Sequence, residues 1–266
     1  MSIIYINPYQ FAAAYDPDAQ SYITAVETAD GQALEVGVKD AINAFVVGCK
    51  SDGIWNAIKA SCILAGARTL AGALVPLVGT APTNYNFASA DYDRETGLVG
   101  DGSTKYLDAN RASNADPQNN KHISMYVTEK TGSGPWIGAY TSTTSVTWAG
   151  PGNSLTSDIY ALNSSSLVVV PRTASSTGFY GISRASSTSL SYLLGSQTTT
   201  TTVSNTSAVP GALPTEIYRI DRTPSGSSIV YSASRLSFYS VGESLDLALL
   251  DPRVTTLVSA IGAAIP

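Results

Sequence analysis

The sequence predicts a mainly β protein: an antiparallel jelly-roll β-sandwich, preceded by an α-helical hairpin and closed by a short C-terminal helix. Three observations carry this. Beyond Gly79 the chain breaks into short alternating apolar and polar runs separated by Gly, Pro, Asn and Asp clusters, with no long amphipathic helix between them. Ser and Thr make up roughly a quarter of the 266 residues, which suits uncharged strand faces and loops. Between Val38 and Ala65, two apolar stripes at helical spacing flank the turn Ser51-Asp52-Gly53.

Residues 1–34 form the first segment, an N-terminal arm. Tyr5, Pro8, Tyr9, Phe11 and Tyr15 crowd its start, and Tyr22, Ile23 and Val26 lie at helical spacing within an expected helix from Ala19 to Thr28. Free aromatics here would expose apolar surface, so the arm is expected to dock on its own domain or a neighbouring subunit. Tyr5, Tyr9, Phe11 and Tyr15 are therefore the candidate attachment residues, and a chain lacking residues 1–30 is expected to fold but not to be incorporated into its assembly.

Residues 35–78 form the helical hairpin. Val38, Ile42, Phe45, Val46 and Cys49 share one face, with Lys39, Asn43 and Lys50 opposite. Gly53 suits the left-handed turn that ends a helix. Trp55, Ile58, Cys62 and Ala65 then repeat the stripe as a second helix, with Trp55 expected as a buried anchor between hairpin and sandwich. Gly72 and Pro76 argue against a third long helix.

Residues 79–266 hold the sandwich. Strands are expected at 85–88, 98–99, 106–107, 123–128, 136–140, 145–149, 159–162, 167–171, 179–184, 189–194, 216–221, 229–232 and 236–241, and a closing helix from Leu249 to Ile261. The Thr-rich run Thr198 to Ser207 reads equally as an exposed strand or a loop tip.

Composition narrows the function. Only 13% of residues are charged and the net charge is -5, which lacks the basic footprint of nucleic-acid binding. Cys49, Cys62 and the single His122 cannot assemble the usual zinc sites. The cysteines read as buried free thiols on helix faces, although spacing leaves a bridge between them open. No secretory leader opens the chain and no uninterrupted apolar stretch of about 18 residues occurs, so a soluble chain without membrane insertion is expected.

No cofactor and no catalysis are expected. A Gly-x-Ser-x-Gly elbow is missing, and His122 reads as a polar residue at a strand edge. Gly97 to Thr104 resembles a phosphate loop but has Ser103 where the lysine belongs, and it reads better as two tight turns around a strand. Asp91 and Asp93 alternate like a glycosidase carboxylate pair, yet beside Arg94 and Glu95 they read as a solvated loop. Calcium is the one ion with a supply of loop oxygens, from Asp91, Asp93, Asp101, Asp108 and Asp116, but no EF-hand loop accompanies them. For stacking on sugars the chain offers Trp136, Tyr140, Trp148, Tyr160, Tyr180 and Tyr192, most of them expected to fill the space between the sheets.

Three phrases together resemble a family of tailed-bacteriophage virion structural proteins built on a concanavalin A-like or laminin-G-like jelly roll. They are the apolar segments around Gly53-Ile54-Trp55 (Ile42 to Ala65), the phrase Gly97-Leu98-Val99-Gly100-Asp101-Gly102-Ser103-Thr104-Lys105-Tyr106, and the ending Phe238-Tyr239-Ser240-Val241-Gly242-Glu243-Ser244-Leu245. The opening Tyr5-Ile6-Asn7-Pro8-Tyr9 and Ala29-Asp30-Gly31-Gln32 resemble virion proteins of marine or cyanobacterial phages. The resemblance implies a non-enzymatic homo-oligomeric subunit of the virion, a capsid decoration or tail-associated protein held to other virion proteins through its N-terminal region. The alternative it leaves is a receptor-binding adhesin domain of a tail or head fibre that recognises a host surface glycan.

Overall fold

A computed structural model describes residues 14–142, 145–152, 157–171, 177–195, 197–223 and 226–266. Tyr5, Tyr9 and Phe11 lie outside the described residues. In chain order the elements are α1 (Pro17–Asp30), α2 (Val36–Ser51), β1 (Ile58–Ile63), the single turn α3 (Leu70–Ala73), β2 (Thr83–Tyr85), β3 (Tyr92–Asp93), β4 (Gly97–Val99), β5 (Tyr106–Ala112), β6 (Lys121–Glu129), β7 (Ile137–Ser142) and β8 (Ser145–Pro151). There follow β9 (Ser157–Ser164), β10 (Val168–Pro171), β11 (Gly178–Arg184), β12 (Ser189–Gly195), β13 (Thr201–Ser204), β14 (Pro214–Ile217), β15 (Arg219–Ile220), β16 (Val230–Tyr231), β17 (Arg235–Gly242) and α4 (Leu247–Ala264).

Two antiparallel sheets form the sandwich. The first runs β13-β12-β11-β6-β17-β4-β3 with β1 also on β17, and the second runs β10-β9-β8-β7-β14-β5-β2. The late strand β17 lies between β6 and β4, so the ends of the chain close the sheet that its middle begins. Inward alternation fills the space between the sheets: Leu107 and Ala109 on β5, Ile123, Met125 and Val127 on β6, Tyr180 and Ile182 on β11, all nearly inaccessible. The Thr-rich run contains an edge strand, β13, paired to β12.

A third layer covers the other face of the first sheet. α1, α2 and α4 enclose a second core in which Ile23, Val26, Val38, Phe45, Val46, Leu250, Val254 and Ile261 meet Phe179, Leu193 and Phe238 from the strands. α4 is long and apolar enough to cross a membrane by length and composition. Here its stripe of Leu250, Val254, Leu257 and Ile261 packs on α2 and the first sheet.

Two expectations are corrected, and one open alternative is resolved. The hairpin is made by α1 and α2, and the segment expected as its second helix is a single 3-10 turn, Trp55–Ala57, followed by strand β1. Ala60, Cys62 and Leu64 face the inter-sheet core while Ile58 and Ile63 face the helices, so β1 is apolar on both sides. A doubly buried strand carries no alternation to distinguish it from a buried helix.

For the arm, residues 17–34 take the first of its two alternatives and dock on the chain's own domain. Ala19, Tyr22, Ile23, Val26 and Leu34 are buried. The Asp30 carboxylate accepts from Arg68 N (2.7 Å), Thr69 N (2.9 Å) and Thr69 Oγ1 (2.7 Å), which ties the end of α1 to the turn before α3. His122 is the second correction. It is fully buried on the central strand β6, with Nε2 2.9 Å from Ser240 Oγ and Nδ1 2.6 Å from the Glu243 carbonyl, and burial lowers its pKa to about 4. Both cysteines are free, Cys49 in the helical core and Cys62 on β1 in the core between the sheets.

Candidate functional site

The end of α2 decides where Trp55 points. Ile54 N–H donates to the Cys49 carbonyl (3.0 Å) and Gly53 N–H to that of Lys50 (3.1 Å), a Schellman turn with Gly53 at φ +73°. This closure buries Ile54, 5% exposed, beneath the helices. The next residue is directed to the surface, and Trp55 stands there half-buried on its 3-10 turn. The expected buried anchor is therefore a surface ring with its inner edge packed against the helical core.

Its surroundings are polar and fixed. The indole N–H donates to Asp18 Oδ2 at 3.1 Å, and the Lys50 ammonium lies 5.8 Å from the ring centroid. Lys50 Nζ also bonds Asp16 Oδ1 at 2.5 Å and Asp18 Oδ2 at 2.7 Å, joining the end of α2 to the start of α1. The hydrogen bond from Lys50 lowers the pKa of Asp16, and the same bond raises that of Lys50.

Trp55 is a partition between two hollows. One, of about 320 Å³, is walled by Tyr22, Ala25, Pro76 and Leu77 with Asp18 and Ser21 at its edge; the other, of about 370 Å³, is walled by Lys50, Gly53 and Asn56. Both include Asp18 and Trp55. These volumes fall in the range of small-ligand clefts, roughly 300–1,000 Å³. The arrangement presents an aromatic ring, a carboxylate and an ammonium at its margin, and neutral donors and acceptors from Ser21 and Asn56.

Of the attachment residues, Tyr15 is described. Its hydroxyl donates to Asp40 Oδ1 (2.8 Å), a bond that raises its pKa, and its ring packs on the helical core. The six candidate sugar-stacking aromatics divide. Trp136, Tyr160, Tyr180 and Tyr192 lie in the core between the sheets, with Trp136 and Tyr180 rings 4.5 Å apart, as expected for most of them. Tyr140 and Trp148 belong to a separate cluster on the far face of the second sheet.

The loop carboxylates shape turns. Asp91 accepts from Ala88 N–H (2.8 Å) and pairs with Lys105 (2.5 Å), Asp93 accepts from Thr96 N–H (2.8 Å), and Asp108 from Asn110 N–H (2.7 Å). Asp101 accepts from the N–H groups of Ser103, Thr104 and Lys105 and is held well below the usual carboxylate range, although burial opposes that shift. Asp116 pairs with Arg111. With Gly97–Val99 as β4 between the Asp93 and Asp101 turns, the phrase is the strand flanked by turns that its sequence suggested. Among the described residues no three His, Cys, Asp or Glu side chains come together as a metal-binding group.

Asp18 and Lys50 were not distinguished by the sequence. A signal was nevertheless present: a Schellman Gly commits the following residue, Ile54, to the helix's apolar contact, which leaves Trp55 free to face elsewhere.

No protein-family model and no curated protein matches the chain. Among solved structures it is similar to the mouse laminin alpha1 chain, domains LG4-5, at 11% identity and a TM-score of 0.37, over 65% of this chain and 47% of that one. The chain thus spans about half the length of that structure. The likeness is a distant one of fold, to a laminin G domain, and nothing of that protein's activity is carried over from it.

Proposed function

We propose that this chain is a non-enzymatic carbohydrate-recognition module whose sugar site is the Trp55 surface. The observation that supports it is the half-buried ring between two hollows, with Asp18 and Lys50 held at its edge. The C–H-lined face of a pyranose stacks on the negative face of an indole, while its hydroxyls donate to carboxylates and accept from ammonium and amide groups. Because two carboxylates, Asp16 and Asp18, share the one Lys50 ammonium, the margin is net negative; it repels acidic sugars and suits a neutral one. The setting we propose is a phage particle, in which homo-oligomeric copies would present Trp55 outward as a decoration or tail-associated subunit. That setting rests on the sequence resemblance, and no comparison points to a phage.

The test is titration with neutral glycans selected from an array. Trp55→Ala should weaken binding by at least about tenfold, and Asp18→Asn should weaken it less because its amide still accepts a hydrogen bond. Wild-type affinity in Trp55→Ala would refute the assignment.

A further inference from the structure

We propose that the side chains of Lys130 and Asp158 condense to an intramolecular amide, a covalent staple between the two sheets that forms once the chain has folded. Lys130 follows β6 of the first sheet, and Asp158 lies on β9 of the second. Their side chains meet with Nζ 2.5 Å from Oδ2, at 1% and 7% exposure, which makes this the most buried ion pair among the described residues. With Cys49 and Cys62 both free, no disulfide ties the layers.

The surroundings suit two charges poorly. The ammonium faces the rings of Trp136 and Tyr180, each centroid 5.5 Å away, and Asp158 Oδ1 is buried with no hydrogen-bond partner among the described residues. A desolvated ion pair repays its loss of water only when further hydrogen bonds satisfy the remaining lone pairs and protons. Here one oxygen goes without. An amide would replace both charges with a neutral group, and release of a water molecule from so dry a setting favours the product.

The step balances without a co-reactant. The short contact passes a proton from Nζ to Oδ2, leaving an amine and a carboxylic acid. The amine lone pair then attacks Cγ, which the contact to Oδ2 places about 3–3.5 Å away, the range of a near-attack conformer. A C–N bond forms, the bond from Cγ to Oδ2 breaks, and Oδ2 departs as water with the proton it gained and a second from nitrogen. Oδ1 remains as the amide oxygen. The Tyr160 hydroxyl, 3.4 Å from Oδ2, is placed to relay that second proton. Folding supplies the effective concentration that the same two groups lack in the unfolded chain. The staple does not depend on the sugar reading of Trp55, and the two fail separately.

The experiment is an intact-mass measurement of the full chain after folding. The wild type should weigh one water less than its sequence, and its proteolytic peptides should appear joined through Lys130 and Asp158. Lys130→Arg, which keeps the charge, and Asp158→Ala should each return to the mass of the sequence. An Asp-Gly step such as Asp52-Gly53 can also lose a water, as a succinimide, but hydroxylamine cleaves a succinimide and leaves a side-chain amide intact. A folded wild type at the mass of its sequence, a loss that hydroxylamine removes, or a loss that survives Lys130→Arg would overturn the assignment.

Discussion

Trp136 and Trp55 are put to opposite uses. Trp136 is sealed between the sheets, its ring against Tyr180 and 5.5 Å from the Lys130 ammonium, and its indole N–H has no hydrogen-bond partner among the described residues. Trp55 stands half-buried in the helical layer, its indole N–H bonded to Asp18 and a hollow on either side. A ring that leaves its own N–H unpaired is kept there by packing, since the unmet hydrogen bond costs about 1–3 kcal/mol. A ring whose N–H is anchored at the surface is oriented, with contact area left for something else. The inter-sheet core thus stabilises, and the helical layer also presents the surface proposed as a sugar site.

The contrast breaks most severely by removing part of the helical layer. Deleting residues 1–30 takes away α1 with its four buried side chains, and the Asp30 carboxylate that orders residues 68–69. This truncation should lose cooperative unfolding by circular dichroism, contrary to the expectation from sequence that the sandwich closes without it. Next comes the pair of tryptophans. Trp136→Ala should cost about 3–5 kcal/mol by chemical denaturation, whereas Trp55→Ala should cost about 2 kcal/mol, because part of its ring is already in contact with solvent.

A smaller effect concerns two titrating groups in the sandwich. Burial holds His122 at about 4, below its unfolded value of 6.5. Its contribution is full above pH 6.5 and is lost as pH falls toward 4. Burial raises Glu216 to about 7 from 4.5, against the pull of Arg219 and with help from Asp221 and Asp108. The opposite sign follows: that contribution is full below pH 4.5 and is lost as pH rises through 7. The two therefore oppose each other between pH 4.5 and 6.5. Glu216→Gln should unmask the histidine, so that its stability falls by about 2–3 kcal/mol more than that of the wild type over that window. Parallel pH profiles would show that Glu216 is not raised by burial.

Most of the sandwich was legible because its strands alternate apolar side chains, turned to the core between the sheets, with polar or aromatic ones on the other face. Ile123, Met125 and Val127 alternate with Ser124 and Tyr126, and the expected 123–128 lies within β6. The terminal strand and helix were readable for the same reason, as β17 and α4. Where both faces are apolar, as on β1, or where polar tertiary contacts such as the Asp30 cap decide the packing, local periodicity holds no record of it. The site was less legible. Gly53 as a helix stop could be read from sequence, but the approach of Asp18 to Trp55 depends on how α1 lies against α2, a contact between residues 37 positions apart. Tyr140 and Trp148 share the alternation of core aromatics and differ only in which face of the sheet they occupy.

The three tryptophans, Trp55, Trp136 and Trp148, give one spectrum that tests the division of labour directly. Their indole N–H resonances, assigned by single substitution, would be followed while a neutral glycan is added. The Trp55 signal should move in a saturable way while Trp136, inaccessible between the sheets, stays fixed. A saturating glycan that leaves Trp55 unmoved would contradict the proposed role of the helical layer.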